Sequence, residues 1–298
     1  MEILYWIFIG LVVLISVLSV LGLILPPPKP PAVGRIVTLA DGTQINTYTK
    51  GQGPAVVLIH GLPGSAQDWP ETVDALVAKG CQVTWYDRAG YGHSSRRGAG
   101  MPHTLQANGE ELDELIEVMG LKSPALVGWS FGGGIIQASK TARNPDTPFI
   151  ALVAAVGPAM TIDGEHVSVG RITKWVMGLP VLGSWLTKAT IRMRFGDTIP
   201  KRWVNAQQSL LLMPGSLETM RSEMAQIRPA SLDPSDILTP TLVVHGTNDE
   251  VVAYDVGVDL SAKIPNAKLV PLEGVGHMLP LTDTDALAVA ITEFATSL

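Results

Sequence analysis

The chain is poor in cysteine, in charged residues and in basic clusters, and each shortage excludes a class of protein. It contains one cysteine, Cys81, which cannot form an internal disulfide or build a zinc site from several cysteines. Charged residues make up 16% of the 298 residues, the formal net charge is −6, and no lysine-rich run is present. Because a nucleic-acid surface needs a concentrated positive field, we expect no nucleic-acid partner.

Residues 3–25, near the N-terminus, form an apolar segment without a charged residue. As a helix, this run would extend for roughly 35 Å, which exceeds the ~30 Å hydrocarbon core of a bilayer. A cleaved signal peptide would have a shorter apolar segment after a positive start, whereas this chain has Glu2 there. We therefore predict a transmembrane anchor over residues 1–25 and membrane localisation. Lys29 and Arg35 follow the run, which favours a cytoplasmic position for the rest of the chain.

A proline-rich segment separates this run from the remainder of the chain. Residues 26–33 include "PPPKPP", whose prolines exclude a helix and favour extended polyproline geometry. We predict a stiff linker there. Beyond it, residues 34–158 and 233–298 are predicted to form the core domain. Residues 159–232 have helical periodicity and several tryptophans, which predicts a helical cap inserted into that core.

Short apolar runs alternate with helical patterns in the predicted core, as in a mostly parallel sheet with helices on both faces. The segment "GRIVTLADGTQINTYT" predicts two strands joined by a hairpin at Asp41 and Gly42. Further runs are short, rich in β-branched residues and bounded by Gly, Pro or Asp, and are predicted to be buried strands: AVVLIH, QVTWYD, ALVGW, FIALVAAV, TLVVHG and AKLVPL. The sequence thus predicts an α/β fold with about eight strands.

The segment "TLQANGEELDELIEVMG" shows the clearest helical pattern. Its apolar residues recur on one helical face: Leu112, Leu115, Ile116 and Met119. Its acidic residues fill the other face and are expected to be solvated: Glu110, Glu111, Asp113, Glu114 and Glu117. Gly120 is predicted to end the helix.

The segment "PALVGWSFGGG" contains the pattern G-x-S-x-G between a predicted strand and a predicted helix. Ser130 would therefore lie at a sharp turn with its hydroxyl exposed to a substrate. Gly128 and Gly132 are needed there, because a Cβ atom at either position would crowd the turn. This context predicts that Ser130 is a nucleophile.

A serine hydroxyl is a weak nucleophile until a base accepts its proton. Of the six histidines, His277 in "LEGVGHMLP" is the best placed, because it follows the last predicted strand. The imidazole in turn needs a carboxylate, and Asp249 in "VVHGTNDEVV" follows the preceding strand, with Glu250 as its competitor. The order Ser130, Asp249, His277 is that of nucleophile, acid and base in one known architecture.

A reaction at a carbonyl also needs hydrogen-bond donors for the developing oxyanion. The segment "IHGLPGS" leaves a strand with Gly and Pro that keep its backbone irregular, so we predict the N–H groups of Leu62 and Phe131 as the oxyanion donors. His60 is predicted to brace this loop. Three residues are expected to contact the substrate: Trp129, Met160 and Met278. The other histidines lack metal-ligand spacing and are expected to be structural or exposed: His93, His103, His166 and His245.

Together, these segments resemble the α/β-hydrolase superfamily over about residues 35–298. Each is similar to one part of that architecture: "HGLPGSAQDW" to the oxyanion loop, "YDRAGYGHS" to the turn after the fourth strand, "GWSFGG" to the nucleophile turn, "GTNDEVV" to the acid loop and "GVGH" to the histidine loop. The resemblance implies the α/β-hydrolase fold with a helical cap. "HGLPG" also resembles epoxide hydrolases and haloalkane dehalogenases, but their nucleophile is an aspartate, so Ser130 disfavours both activities.

The sequence therefore predicts a membrane-anchored serine hydrolase that cleaves carboxylic esters of apolar or lipid-like substrates through an acyl-enzyme. Its expected partners are a small-molecule or lipid ester and the membrane, and no metal or organic cofactor is expected. One alternative uses the same triad for C–C bond hydrolysis or for perhydrolysis, as in cofactor-free haloperoxidases. A second alternative is a non-catalytic, membrane-tethered binding module that retains the fold.

Overall fold

Strands and helices alternate along most of the described chain. The computed structural model describes residues 2–24, 31–96, 102–160, 188–189, 192–193, 199–211 and 213–298. The strands are β1 (Arg35–Thr38), β2 (Gln44–Lys50), β3 (Ala55–Ile59), β4 (Gln82–Asp87), β5 (Ala125–Trp129), β6 (Ile150–Val153), β7 (Thr241–Gly246) and β8 (Ala267–Leu272). The helices are α1 (Glu2–Ile24), α2 (Pro70–Ala78), α3 (Leu105–Val118), α4 (Phe131–Ala138), α5 (Lys201–Leu211), α6 (Ser216–Gln226), α7 (Tyr254–Lys263), α8 (Leu279–Thr282) and α9 (Thr284–Thr296).

The strands form one sheet in the order β1-β2-β4-β3-β5-β6-β7-β8. β2 is antiparallel to both β1 and β4, and the remaining neighbours are parallel. The prediction of an eight-stranded, mostly parallel sheet with flanking helices is confirmed. Because β3, β5, β7 and β8 run in the same direction, the loops that follow them leave the sheet at one edge.

The inner strands are apolar at almost every position because both faces of the sheet are covered. Every residue of β5, β6 and β7 is buried, as expected for parallel strands between two layers of helices. The edge strand β8 has exposed and half-buried residues instead. The continuous apolar runs of the sequence therefore mark the centre of the sheet.

Helix α3 follows its predicted pattern on the apolar face and departs from it on the acidic face. The Thr104 hydroxyl accepts a hydrogen bond from the Ala107 N–H and so caps the N-terminus. Leu112 and Leu115 are buried, and Gly120 adopts a φ of +65° just beyond the helix. The expectation of a solvated acidic face is wrong for Glu111, which is buried and accepts a hydrogen bond from a backbone N–H.

The chain divides into two compact units. The first comprises Met1–Pro31 and Glu165–Pro214 and contains α1 and α5, and the second comprises Ala32–Gly164 and Gly215–Leu298 and contains the whole sheet. The predicted cap, residues 159–232, contributes to both units, and much of it lies outside the described residues. Most of the predicted linker, residues 26–33, also lies outside the described residues. The domain limits given above stay predictions.

The prediction of a transmembrane anchor over residues 1–25 is wrong. Helix α1 covers most of this segment, but among the helices of the described residues none is both long enough and apolar enough to cross a bilayer. The prediction depended on the absence of charged residues over this run and on the length of an ideal helix, and the helices of the described residues do not support it. Membrane localisation, a cytoplasmic position for the rest of the chain and the membrane as a partner depended on the same run and are corrected with it.

Candidate active site

Ser130 lies in a strained turn between β5 and α4. Its φ is +55° and its ψ is −117°, a backbone conformation that costs a residue other than glycine about 1–3 kcal/mol. Backbone hydrogen bonds hold the turn: the Ser130 N–H donates to the Val153 carbonyl at 2.9 Å, and its own carbonyl accepts from Gly133 and Val156. The sheet and the helix thus fix the serine, whose hydroxyl lies beyond the carboxyl end of β5.

Close packing explains the glycines around Ser130. A Cβ atom at Gly128 would lie 2.5 Å from the Gly132 carbonyl oxygen, and a Cβ atom at Gly132 would overlap the Ile59 carbonyl oxygen. Real Cβ atoms do not approach backbone atoms so closely. The predicted need for glycine at both positions is confirmed.

Asp249 and His277 meet at the same edge of the sheet, in the loops after β7 and β8. His277 Nδ1 lies 2.7 Å from Asp249 Oδ2, and both side chains are almost completely buried. The other carboxylate oxygen, Oδ1, accepts hydrogen bonds from the N–H groups of Val251 and Val252 at 2.8 and 2.9 Å. Asp249 is therefore held in one orientation, with one oxygen directed at the imidazole.

The electrostatics of this pair define the tautomer of His277. Burial by itself would raise the pKa of Asp249, but hydrogen bonds from His245, His277 and a backbone N–H hold that pKa well below its ordinary value. Asp249 is thus an anion that only accepts hydrogen bonds. Nδ1 of His277 must then carry the proton, and Nε2 of the neutral ring has a free lone pair, as a general base requires.

His245 also contacts Asp249, which the sequence analysis did not anticipate. This histidine is fully buried near the end of β7, with Nε2 2.9 Å from the Val252 carbonyl oxygen and 3.4 Å from Asp249 Oδ2. Both neighbours are acceptors, so Nε2 carries the proton. The signal in the sequence was a polar residue inside an otherwise apolar strand, four positions before the acid. His245 is better described as a neighbour of the acid than as a general structural residue.

Trp129 links the serine turn to the histidine loop. Its indole Nε1 donates a hydrogen bond to the His277 carbonyl oxygen at 2.9 Å, and the two rings lie 5.5 Å apart. Trp129 and Met278 are buried and Met160 is half-buried, so a contact with substrate stays a prediction for all three. Among the described residues, Ser130 Oγ makes no hydrogen bond with His277, which is common in active sites without substrate.

The loop after β3 lies against Ser130. A Cβ atom at Gly61 would be 3.2 Å from the Ser130 Cβ, so this backbone passes beside the hydroxyl. Within the part of the chain that the structure describes, the N–H groups of Leu62 and Phe131 have no hydrogen-bond acceptor. Both N–H groups are therefore uncommitted, and their role as oxyanion donors stays a prediction.

His60 braces the same loop, as predicted. Burial and then the positive charge of Arg88 lower the pKa of His60 well below its ordinary value, so the ring is neutral. Its Nε2 accepts a hydrogen bond from the Arg88 N–H at 3.0 Å, so Nδ1 is the protonated nitrogen and donates to the Gly61 carbonyl at 2.9 Å. Both ring nitrogens are occupied, and His60 cannot act as a base.

The structure thus gathers a strained serine, a buried histidine–aspartate pair and two uncommitted N–H groups at one edge of the sheet. Such a set can deprotonate a hydroxyl and stabilise an oxyanion at a carbonyl. Within the described ranges, no cluster of three or more His, Cys, Asp or Glu side chains has the arrangement of a metal site. His166, predicted to be structural or exposed, lies outside those ranges.

Comparison with known proteins identifies the family. A sequence model of the alpha/beta hydrolase family matches residues 56–290. The chain is similar to a bifunctional esterase/perhydrolase of Acinetobacter calcoaceticus, with 26% identity over 88% of this chain and 99% of the relative. It is also similar to a non-heme chloroperoxidase of Streptomyces lividans, with 28% identity over 88% of this chain and 99% of the relative.

A solved structure shows the same fold. The bromoperoxidase of Bacillus anthracis superimposes with a TM-score of 0.69 and 24% identity, and the match covers 88% of this chain and 100% of that chain. The family match extends over most of the second compact unit and includes every residue predicted for the triad and the oxyanion hole. The chain therefore belongs to the alpha/beta hydrolase family.

Proposed function

We propose that this hydrolase cleaves carboxylic esters with Ser130 as its nucleophile. Ser130 Oγ attacks the carbonyl carbon while His277 Nε2 takes the hydroxyl proton, and Asp249 stabilises the imidazolium that forms. The N–H groups of Leu62 and Phe131 stabilise the oxyanion. Collapse of the tetrahedral intermediate breaks the bond to the alcohol oxygen, which receives the proton from His277. Water, activated by the same imidazole, then releases the acid from the acyl-enzyme.

One observation carries most of this proposal. The 2.7 Å contact between His277 Nδ1 and a buried, ionised Asp249 gives the imidazole the tautomer of a base. Trp129 connects this pair to the turn on which Ser130 adopts its strained conformation. The uncommitted N–H groups of Leu62 and Phe131 support chemistry at a carbonyl rather than proton transfer alone.

A panel of p-nitrophenyl esters from acetate to palmitate tests the proposal. Wild-type protein should hydrolyse at least one of them, and Ser130→Ala should lose at least about 10³-fold in kcat, since the nucleophile is removed. Ser261→Ala removes a serine hydroxyl that bonds only within its own helix, and should leave kcat unchanged. Turnover that persists in Ser130→Ala would contradict the role of Ser130, and absence of turnover for every ester would contradict esterase activity.

Labelling with a fluorophosphonate separates an enzyme from a binding module. The probe reacts with a serine that has an activated hydroxyl and an oxyanion site, so wild-type protein should be labelled and Ser130→Ala should not. The prediction of a lipid ester depended in part on a membrane anchor, which the helices of the described residues do not support. The chain-length panel therefore measures that preference directly.

Perhydrolysis is a second candidate, favoured by the relative from Acinetobacter calcoaceticus, whose name combines esterase and perhydrolase. Hydrogen peroxide would take the place of water on the same acyl-enzyme and release a peracid, with the serine proton returned as before. Formation of peracetic acid from acetate and peroxide, followed by bromide oxidation, measures this activity. A vinylogous diketone included in the panel tests C–C bond hydrolysis, the remaining use of the triad.

A further inference from the structure

A buried arginine lies behind the loop that supplies Leu62. Arg88 directly follows β4 and is 1% exposed. Its Nη2 donates a hydrogen bond to the Gly61 carbonyl oxygen at 2.9 Å, and the same oxygen accepts from His60 Nδ1. A single carbonyl therefore binds a guanidinium and an imidazole N–H at once.

That carbonyl belongs to the peptide group whose N–H is the Leu62 oxyanion donor. A trans peptide group is planar, and its C=O and N–H point in opposite directions. Fixing the Gly61 oxygen therefore fixes the direction of the Leu62 N–H. The positive charge on the oxygen side also polarises the peptide, which strengthens its N–H as a donor in a site of low dielectric constant.

Arg88 also contacts the residue that supplies the second donor. Its guanidinium carbon lies 4.9 Å from the centre of the Phe131 ring and 4.7 Å from that of Tyr91. Such cation–π contacts restrict the guanidinium plane. Arg88 is thus adjacent to both Leu62 and Phe131 while it contacts neither the serine nor the histidine of the triad through a hydrogen bond in the described residues.

Glu223 holds Arg88 in this position. It lies on α6, a helix that the sequence assigns to the cap, and its side chain is fully buried. Both of its oxygens accept from the guanidinium, and the Tyr91 hydroxyl donates to Oε2 at 2.6 Å and Asn108 Nδ2 to Oε1 at 3.2 Å. Burial would lower the pKa of Arg88, but the carboxylate outweighs burial and raises it above its ordinary value.

We propose that Arg88 is a positioning residue for the oxyanion hole and that Glu223 fixes Arg88 for this purpose. The inference rests on the proposed function, because an oxyanion hole is needed only if Ser130 attacks a carbonyl. It assigns to α6 a contribution to the rate of the chemical step, in addition to any contact with substrate. A merely structural ion pair would affect stability and leave transition-state binding unchanged.

Glu223→Gln and Arg88→Lys test this inference in the full-length protein. Glu223→Gln keeps the size of the side chain but loses its charge, and Arg88→Lys keeps the charge but loses the planar fork. Both variants should reduce kcat about 10-fold and change KM less than twofold. A misdirected donor stabilises the oxyanion of the transition state less, whereas it has little effect on binding of the neutral substrate. Asp113→Asn is the matched control, since Asp113 accepts three hydrogen bonds near Lys140 and Thr141, away from the triad.

Binding of a trifluoromethyl ketone gives the second measurement. Its adduct with Ser130 is tetrahedral and places an oxyanion in the oxyanion hole. The carboxylic acid product forms no such adduct, so its affinity reports on substrate contacts other than the oxyanion hole. We expect Glu223→Gln to weaken the ketone about as much as it reduces kcat/KM, and to leave product affinity within twofold. Asp113→Asn should lower the melting temperature without changing the affinity for the ketone or for the product.

The outcomes separate the inference from the function on which it rests. A folded Glu223→Gln with wild-type kcat and ketone affinity overturns the inference while the esterase stands. If wild-type protein neither hydrolyses esters nor binds the ketone, the proposed function fails and the inference with it. Should Glu223→Gln not fold, Tyr91→Phe is compared with wild-type protein in kcat and ketone affinity instead. This variant removes one hydrogen bond to Glu223 but leaves the ion pair with Arg88, so it isolates no buried charge and should reduce kcat about 2–3-fold.

Discussion

At the residue scale, Asp249 shows how a buried charge is stabilised. Its two oxygens accept two backbone N–H groups and the His277 imidazole, with His245 nearby. These donors offset the desolvation that would otherwise protonate the acid. The same donors make the ionisation of Asp249 part of the stability of the protein, because they exist only in the folded state.

The sign of that coupling gives a prediction for acid conditions. The pKa of Asp249 is lower in the folded state than in the unfolded chain, so ionised Asp249 contributes stability above the ordinary carboxyl pKa of about 3.9, and the contribution is lost as the pH falls below it. We expect the difference in free energy of unfolding between wild-type protein and Asp249→Asn to shrink as the pH falls from about 5 to 3. Urea unfolding at several pH values measures it.

The control for this prediction is Glu250→Gln. Glu250 is the neighbouring carboxylate and is exposed, so Glu250→Gln should change the free energy of unfolding by less than about 0.5 kcal/mol. A difference between wild-type protein and Asp249→Asn that stays constant from pH 5 to pH 3 would contradict the assignment of these hydrogen bonds to an ionised Asp249.

Single residues also mark where reasoning from the sequence stops. The triad candidates could be predicted because G-x-S-x-G and the ends of two strands are local patterns. The contact between His245 and Asp249 depends on how the chain turns between them, and the pairing of Arg88 with Glu223 joins segments 135 positions apart. No local sequence pattern predicts the partner in such a contact. The sequence shows at most that a polar residue lies in a segment predicted to be buried.

At the scale of elements, α4 approaches the sheet more closely than a side chain at its start would allow. Gly132 faces the backbone at the end of β3, where the oxyanion loop begins. A shift of this helix would therefore disturb its packing on the sheet and would also move the Phe131 N–H, which lies at the first residue of the helix.

Gly132→Ala tests this packing. Its Cβ atom would overlap the Ile59 carbonyl oxygen and lie 2.9 Å from that of His60. We expect a loss of at least about 1–3 kcal/mol in the free energy of unfolding, since an overpacked backbone must shift, together with slower ester turnover. Gly10→Ala is the control, because nothing lies within 4 Å of its added methyl group. Wild-type stability and turnover in Gly132→Ala would show that the helix can move without consequence.

The limits of the elements could be predicted only in part. Every predicted strand is present, but "FIALVAAV" ends as a strand at Val153, because Ala154 adopts a φ of +43° and turns the chain away from the sheet. Apolar composition does not reveal such a turn. The same limit applies to Glu111, whose burial follows from the loop that packs over α3 and not from the helix pattern.

At the scale of the whole molecule, the C-terminal helix packs against parts of the second unit that are distant in sequence. α9 packs against α2 and β7. The preceding helix α8 is also tied to α2, because the Thr72 hydroxyl donates a hydrogen bond to the Pro280 carbonyl at 3.0 Å. Phe294 on α9 contacts Phe149 beside β6, with ring centres 5.8 Å apart and the planes at 80°. The last helix therefore covers one face of the central strands.

Phe294→Ala should remove a large part of that cover. The side chain is buried, so its loss should reduce the free energy of unfolding by about 3–5 kcal/mol. Thr296→Ala changes an exposed residue of the same helix and should alter stability by less than about 0.5 kcal/mol. Chemical unfolding measures both variants, and equal losses would contradict the assigned packing of α9.

The shared direction of the inner strands has a further consequence. Nucleophile, acid, base and oxyanion donors all follow the carboxyl ends of strands, so the turns that enter these strands from the opposite edge hold none of the reacting groups. Insertions or affinity tags placed in those entering turns would lengthen the protein without separating Ser130 from His277. Selection can therefore vary one rim of the sheet for new surface properties while the other rim preserves the reaction.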